Sequence, residues 1–140
     1  MNRILVDLNV VLDVLFDRQP HARAAESLWR AVEAGRIEAL LPAHGLTTAY
    51  YLAARHRNAA FARRIVQDLM ALFGVATVDE GVIRRALALE WPDFEDAVCA
   101  AAAEGSGCEA IVTRDPEDFR GSPIDVMDPG TAVARLDQVD

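Results

Sequence analysis

The chain has 140 residues, 52% of them apolar and 26% charged, which is enough for one compact domain and too apolar for a disordered chain. A net charge of −8 excludes a wholly basic surface for duplex nucleic acid, though not a local basic patch. All 14 basic residues are Arg. The absence of Lys excludes a Walker A phosphate loop and a Schiff-base lysine, and none of the three Ser sits in a Gly-x-Ser-x-Gly elbow.

Taken in order, Ile4-Leu5-Val6 is a short unalternating apolar run, as expected of a strand buried on both faces. Val10 to Phe16 reads as a short helix. From His21 to Ala34, Ala25, Leu28, Trp29 and Val32 recur at three- and four-residue steps, the mark of an amphipathic helix that Gly35 ends. Ile37 to Leu41 reads as a second strand, and residues 44–57 and 59–73 as two helices, the second with Phe61, Ile65, Leu69 and Leu72 on one face. Val75 to Val78 is a third strand. Asp79 caps a helix running to about Glu90, and after the break at Trp91-Pro92-Asp93 an Ala-rich helix runs to Glu104. Ala110 to Thr113 and Ile124 to Val126 complete the strands, and Pro129 begins a terminal helix. Helices between short apolar strands predict a three-layer α/β/α sandwich around a central, mainly parallel sheet of four or five strands, as one domain over residues 1–140.

Cys99 falls in the Ala-rich helix and reads as a buried thiol; nothing asks for a disulfide, and His21, His44 and His56 lack zinc-ligand spacing. The start is too short in apolar residues for a signal peptide and no stretch is long enough to span a bilayer, so the expectation is a reduced, cytoplasmic protein without a membrane partner.

In sheets of this kind, functional groups gather beyond the carboxyl ends of the strands. Asp7 ends the first strand, Asp115 follows the fourth, Asp118 lies three residues on, and Asp96 with Glu95 opens the helix before the fourth strand. Carboxylates sharing a small volume repel one another, so a cation is expected among them; all-oxygen ligands favour Mg²⁺ or Mn²⁺, and such an ion supports phosphodiester hydrolysis. The bland readings stand beside this one. Asp7 and Asp115 are also turn residues, Asp93 is best read as a helix cap, and Asp96 serves equally as a dipole-favoured acid. Asn9 suits both an orienting role toward Asp7 and an N-cap. Thr113 is either a carboxylate partner or a plain strand residue, and Glu95 is solvated or supports its neighbours.

The segments Leu5-Val6-Asp7-Leu8-Asn9-Val10-Val11-Leu12-Asp13, Phe94-Glu95-Asp96-Ala97 and Ile111-Val112-Thr113-Arg114-Asp115-Pro116-Glu117-Asp118-Phe119, in this order, resemble the PIN-domain family and within it the VapC-type toxins. The resemblance implies an α/β/α fold and a Mg²⁺- or Mn²⁺-dependent endoribonuclease. Its metal-binding and catalytic carboxylates would be Asp7, Asp96 and Asp115, with Asp118 a further ligand. It also implies a cognate antitoxin that fills the active-site groove, and a homodimer. One departure stands out: the family usually carries a Glu on the helix after the second strand, whereas His44 to Leu52 contains no acid and Tyr50 stands near that place.

Between Ala39 and Gln67 there is no Asp or Glu, while Arg55, Arg57, Arg63 and Arg64 give that stretch +4 and leave −12 to the rest of the chain. These four, with Arg114 beside Asp115, are the candidate RNA contacts, or else solvated arginines or contacts for an acidic partner. Two other readings are open. An aspartate-nucleophile phosphatase needs an acid where Asn9 stands and a Lys. A catalytically weak or inactive PIN-like module that binds RNA or a protein would explain the missing helix carboxylate.

Overall fold

The computed structural model of the chain describes residues 1–139, the side chain of Val139 aside. Five strands, β1 (Arg3–Val6), β2 (Glu38–Pro42), β3 (Gly74–Ala76), β4 (Ala110–Val112) and β5 (Asp125–Met127), form one sheet in the order β3-β2-β1-β4-β5. Every pairing is parallel, so the sheet is wholly rather than mainly parallel. Leu5 lies between Leu40 on β2 and Ile111 on β4. β1 is therefore central, which its uninterrupted apolar run requires.

Seven helices connect and cover the sheet: α1 (Leu8–Leu15), α2 (His21–Glu33), α3 (Ala43–His56), α4 (Ala59–Leu72), α5 (Glu80–Leu89), α6 (Phe94–Gly105) and α7 (Pro129–Val139). Alternation along β1 divides the core in two. Ile4 and Val6 pack with Val10, Leu28, Ala49, Leu69 and Leu136 on one face. Leu5 packs on the other with Val82, Ala86 and the buried side of α6. The result is the expected three-layer sandwich, with α5 and α6 forming the thinner outer layer.

The run Ala97 to Ala103 on α6 is buried at every position. Residues this small let the helix lie close on the sheet while α5 packs against its other side. That close seat fixes the height of the first turn of α6 above the ends of β1 and β4. Cys99 and Cys108 are buried free thiols. Among the described residues no helix is long and apolar enough to cross a membrane.

Candidate active site

β1 does not stop cleanly at Val6. The Asp7 amide donates to the Val112 carbonyl at 2.9 Å, extending the β1–β4 ladder by one step, and α1 begins at once with Leu8. The helix thus starts two residues earlier than its apolar pattern suggests. Asp7 occupies its N-cap position without a side-chain cap bond, and Asn9 lies inside the first turn. The expectation that Asn9 caps this helix is therefore wrong: a residue within the turn cannot serve as its cap. Its amide is spent across the sheet edge instead, with Nδ2 donating to Thr113 Oγ1 at 3.3 Å and Oδ1 accepting the Arg114 amide at 3.3 Å.

Thr113 is the hub. Its side chain is fully buried, and its hydroxyl donates to Asp7 Oδ2 at 2.8 Å while its oxygen accepts from Asn9 and from the Asp115 amide at 3.3 Å. One hydroxyl thereby ties the ends of β1 and β4 to the loop that carries Asp115. The segment after it folds into a short 3-10 turn, Pro116–Phe119, which opens with the Asp118 amide donating to the Asp115 carbonyl at 3.1 Å.

Asp96 arrives from the opposite layer. Asp93 caps α6 by accepting the Asp96 amide at 3.1 Å, as its position predicts. Asp93 does more than cap, because its charge bears on both Asp7 and Asp96. Asp96 has its carboxyl pushed up to about 7, first by burial and then by Asp93, Asp7, Asp118 and Glu95. The Asp7 carboxyl is raised as well. Burial is the main cause and Asp115 and Asp93 add to it, against the lowering effect of the bonds from Thr113 and the Leu8 amide. Carboxylates from β1, the β4 loop and α6 therefore feel one another across large distances in sequence. Glu95 is exposed, yet its charge reaches both Asp96 and His44.

The guanidinium of Arg114, a candidate phosphate contact beside Asp115, has two acidic partners. Its Nη1 pairs with Asp13 Oδ1 at 2.8 Å and its Nε lies 3.6 Å from Asp115 Oδ2. Asp13 sits on the apolar helix α1 with a side chain only 2% exposed, and an acid buried that deeply demands such a partner. The lone charge in the run Val10-Val11-Leu12-Asp13-Val14-Leu15 was the available sequence signal. Arg55, Arg57, Arg63 and Arg64 are exposed around the α3–α4 turn. Arg55 lies over Tyr51 at 5.8 Å and Arg57 over Phe61 at 5.3 Å. Since α3 begins at the sheet's carboxyl edge, this patch stands one helix length away, about 20 Å at 1.5 Å per residue.

No acid stands at the start of α3. What that turn brings to the edge is His44, half-buried, with Nδ1 shielded from solvent and without a hydrogen-bond partner. Burial lowers its pKa, with Glu95 pulling the other way, so the ring is neutral at pH 7. Sequence reasoning missed it, although it is the first polar side chain after β2 at the edge where function was expected. Tyr50 is half-buried farther along α3. Cys99 lies one helical turn beyond Asp96, and burial with the nearby Asp7 and Asp96 charges keeps its thiol well above the usual range, hence protonated and inert.

The donors offered here are oxygens, which suit a hard divalent cation. Among the described residues no three His, Cys, Asp or Glu side chains form a ready-made cage.

An all-parallel α/β/α domain with mutually repelling carboxylates at one sheet edge is the class that fold and site define. The chain matches the PIN domain family over residues 3–117, and it belongs to that family. Its fold is shared with VapBC-1 from nontypeable Haemophilus influenzae (TM-score 0.72, 12% identity, 91% of this chain and 98% of that one). A toxin–antitoxin complex from Klebsiella pneumoniae is similar over 90% of this chain and 97% of that one (TM-score 0.67, 24% identity). FitAcB from Neisseria gonorrhoeae is similar over the same shares (TM-score 0.63, 20% identity). No curated protein sequence matches.

Proposed function

We propose that this chain is a divalent-metal-dependent endoribonuclease that hydrolyses RNA phosphodiester bonds, the toxin of a toxin–antitoxin pair. The observation that carries the reading is the gathering of acids at one sheet edge: Asp7 at the end of β1 is burdened by Asp115 and Asp93, and Asp96 on α6 by Asp93, Asp7 and Asp118. A protein keeps such repulsion where function uses it. Family membership and the toxin–antitoxin complexes among its structural neighbours support the assignment.

Asp7 and Asp115 would hold Mg²⁺ or Mn²⁺, with Asp96 and Asp118 as the further ligands. Once bound, the ion would acidify water and neutralise charge on the phosphate. Asp96, poised near neutrality before any ion arrives, suits a proton acceptor for the attacking water. Thr113 and Asn9 orient Asp7, and the Asp13–Arg114 pair fixes the loop that carries Asp115. RNA would reach this acidic edge with its backbone steered by the α3–α4 arginines. The protein partner would be an antitoxin filling the same groove, and the assembly a homodimer in the cytoplasm.

The test is cleavage of a structured RNA with and without Mg²⁺ or Mn²⁺, comparing wild type, Asp7→Asn and Asp96→Asn. Metal-dependent cutting that both variants lose supports the enzyme. Manganese binding in the wild type with no cutting of any RNA would favour the alternative, a binding module lacking the helix carboxylate.

A further inference from the structure

A cleft of about 390 Å³ is lined by Asp93, Asp96 and Asp118 of the acidic site together with Trp91, Pro92, Glu117 and Arg120. Its volume lies in the range of small-ligand sites, and three features set it apart from an accidental hollow. First, its aromatic wall is fixed. The Trp91 ring meets Phe119 edge to face, with centroids 5.8 Å apart and planes at 86°, and Phe119 is buried at the core. Secondly, the polar groups of that wall are uncommitted. Among the described residues Arg120 makes no ion pair, although carboxylates share its cleft, and the Trp91 indole N–H donates to no protein acceptor. Thirdly, the chain turns beside the ring at Gly121, whose φ of +85° favours glycine.

We infer that this cleft is a nucleotide subsite that holds an unpaired base next to the scissile phosphate, and that it prefers guanine. The inference rests on the ribonuclease reading of the adjoining carboxylates. Unpaired bases are recognised by stacking on aromatic rings and by hydrogen bonds to their edges. Trp91 supplies the ring and Pro92 a second apolar surface. Among the four bases guanine alone offers a paired acceptor edge, O6 and N7, for a guanidinium fork and an adjacent donor pair, N1–H and N2–H, for a carboxylate. Arg120 is the fork, and Glu117 or Asp93 the acceptor. A free nucleic acid phosphate would be repelled by so many acids, whereas a neutral base would not. The subsite therefore reads the base and leaves the phosphate to the metal.

The test uses the full chain, with ¹⁵N-labelled indoles and no added metal, titrated with guanosine, adenosine, cytidine and uridine. Trp29→Phe assigns the two indole signals. The expected result is a shift of the Trp91 signal, not that of Trp29, with guanosine binding about tenfold more tightly than the others, and loss of that preference in Arg120→Gln. Trp91→Leu should abolish binding. Arg120→Gln carries the test if that variant does not fold, because Arg120 is an exposed loop residue. Equal response to all four nucleosides, no response at Trp91, or a guanosine preference unchanged in Arg120→Gln would each overturn the inference. Because the readout needs no cleavage, guanosine binding to a chain that cuts no RNA would retain the subsite and refute the nuclease. Metal-dependent cutting without guanine at the cut site would do the reverse.

Discussion

The two ends of the same sheet treat charge in opposite ways. At the amino end the charges are matched. Arg3 pairs with Glu38 at 3.0 Å and donates to the Ser106 carbonyl at 2.7 Å, and Glu109 accepts from the Asn2 amide at 2.7 Å. A hollow of about 810 Å³ lies on this side beside Arg3, Glu38, Gly74 and Arg85. At the carboxyl end Asp7, Asp93, Asp96 and Asp118 crowd together, Arg114 is already held by Asp13, and Arg120 borders the cleft without an ion pair among the described residues. Size therefore misleads: the larger hollow mixes both signs of charge, whereas acids dominate the smaller one. An arrangement that costs stability, set against one that does not, marks where function resides.

The comparison breaks first if a single carboxylate can be removed without consequence. Asp7→Asn should lower RNA cleavage by more than about 100-fold, a larger effect than loss of a supporting residue, and abolish Mn²⁺ binding by calorimetry with circular dichroism unchanged. Glu38→Gln at the other end should leave cleavage intact. Next in size is Asp13→Ala, which strands Arg114 beside a buried wall. Partial solvation of Arg114 moderates the effect, so about 2–3 kcal/mol of unfolding free energy should be lost in urea titrations. Thr113→Val keeps the shape and removes the hydroxyl hub. Metal affinity should fall by roughly 10–100-fold, as for other residues that orient ligands.

A smaller effect, of opposite sign, sharpens the contrast. The Asp96 carboxyl ionises near 7 in the folded chain and near the ordinary aspartate value of 3.8 when unfolded. Between these values the folded chain holds a proton that the unfolded chain has lost, so metal-free stability falls as pH rises through that window and levels off above it. Asp96→Asn removes the cost. Its advantage over wild type should be absent at pH 4 and reach about 1 kcal/mol at pH 8 after allowing for solvent screening, seen as a melting temperature some few degrees higher. Metal affinity should climb across the same pH range, because binding must displace that proton. Least of all, Arg3→Ala at the matched end should cost under about 1 kcal/mol, since both partners are well exposed. A larger loss there would overturn the view that this end is ordinary.

Much of this was legible in the chain alone. A strand buried on both faces needs an unalternating apolar run, so β1 announced itself as an interior parallel strand. The acids just past β1 and β4 followed from where a parallel sheet puts its loops. Asp93, His44 and the Asp13–Arg114 pair did not announce themselves. Each is innocuous as a local choice: a cap, a polar residue in a first helical turn, a charge at one helix position. Local pattern fixes which residues are helical or extended, because it depends on neighbours in sequence. Which charges share a volume depends on how closely α6 sits on β1 and β4. Its buried alanines decide that distance only once the layers have packed.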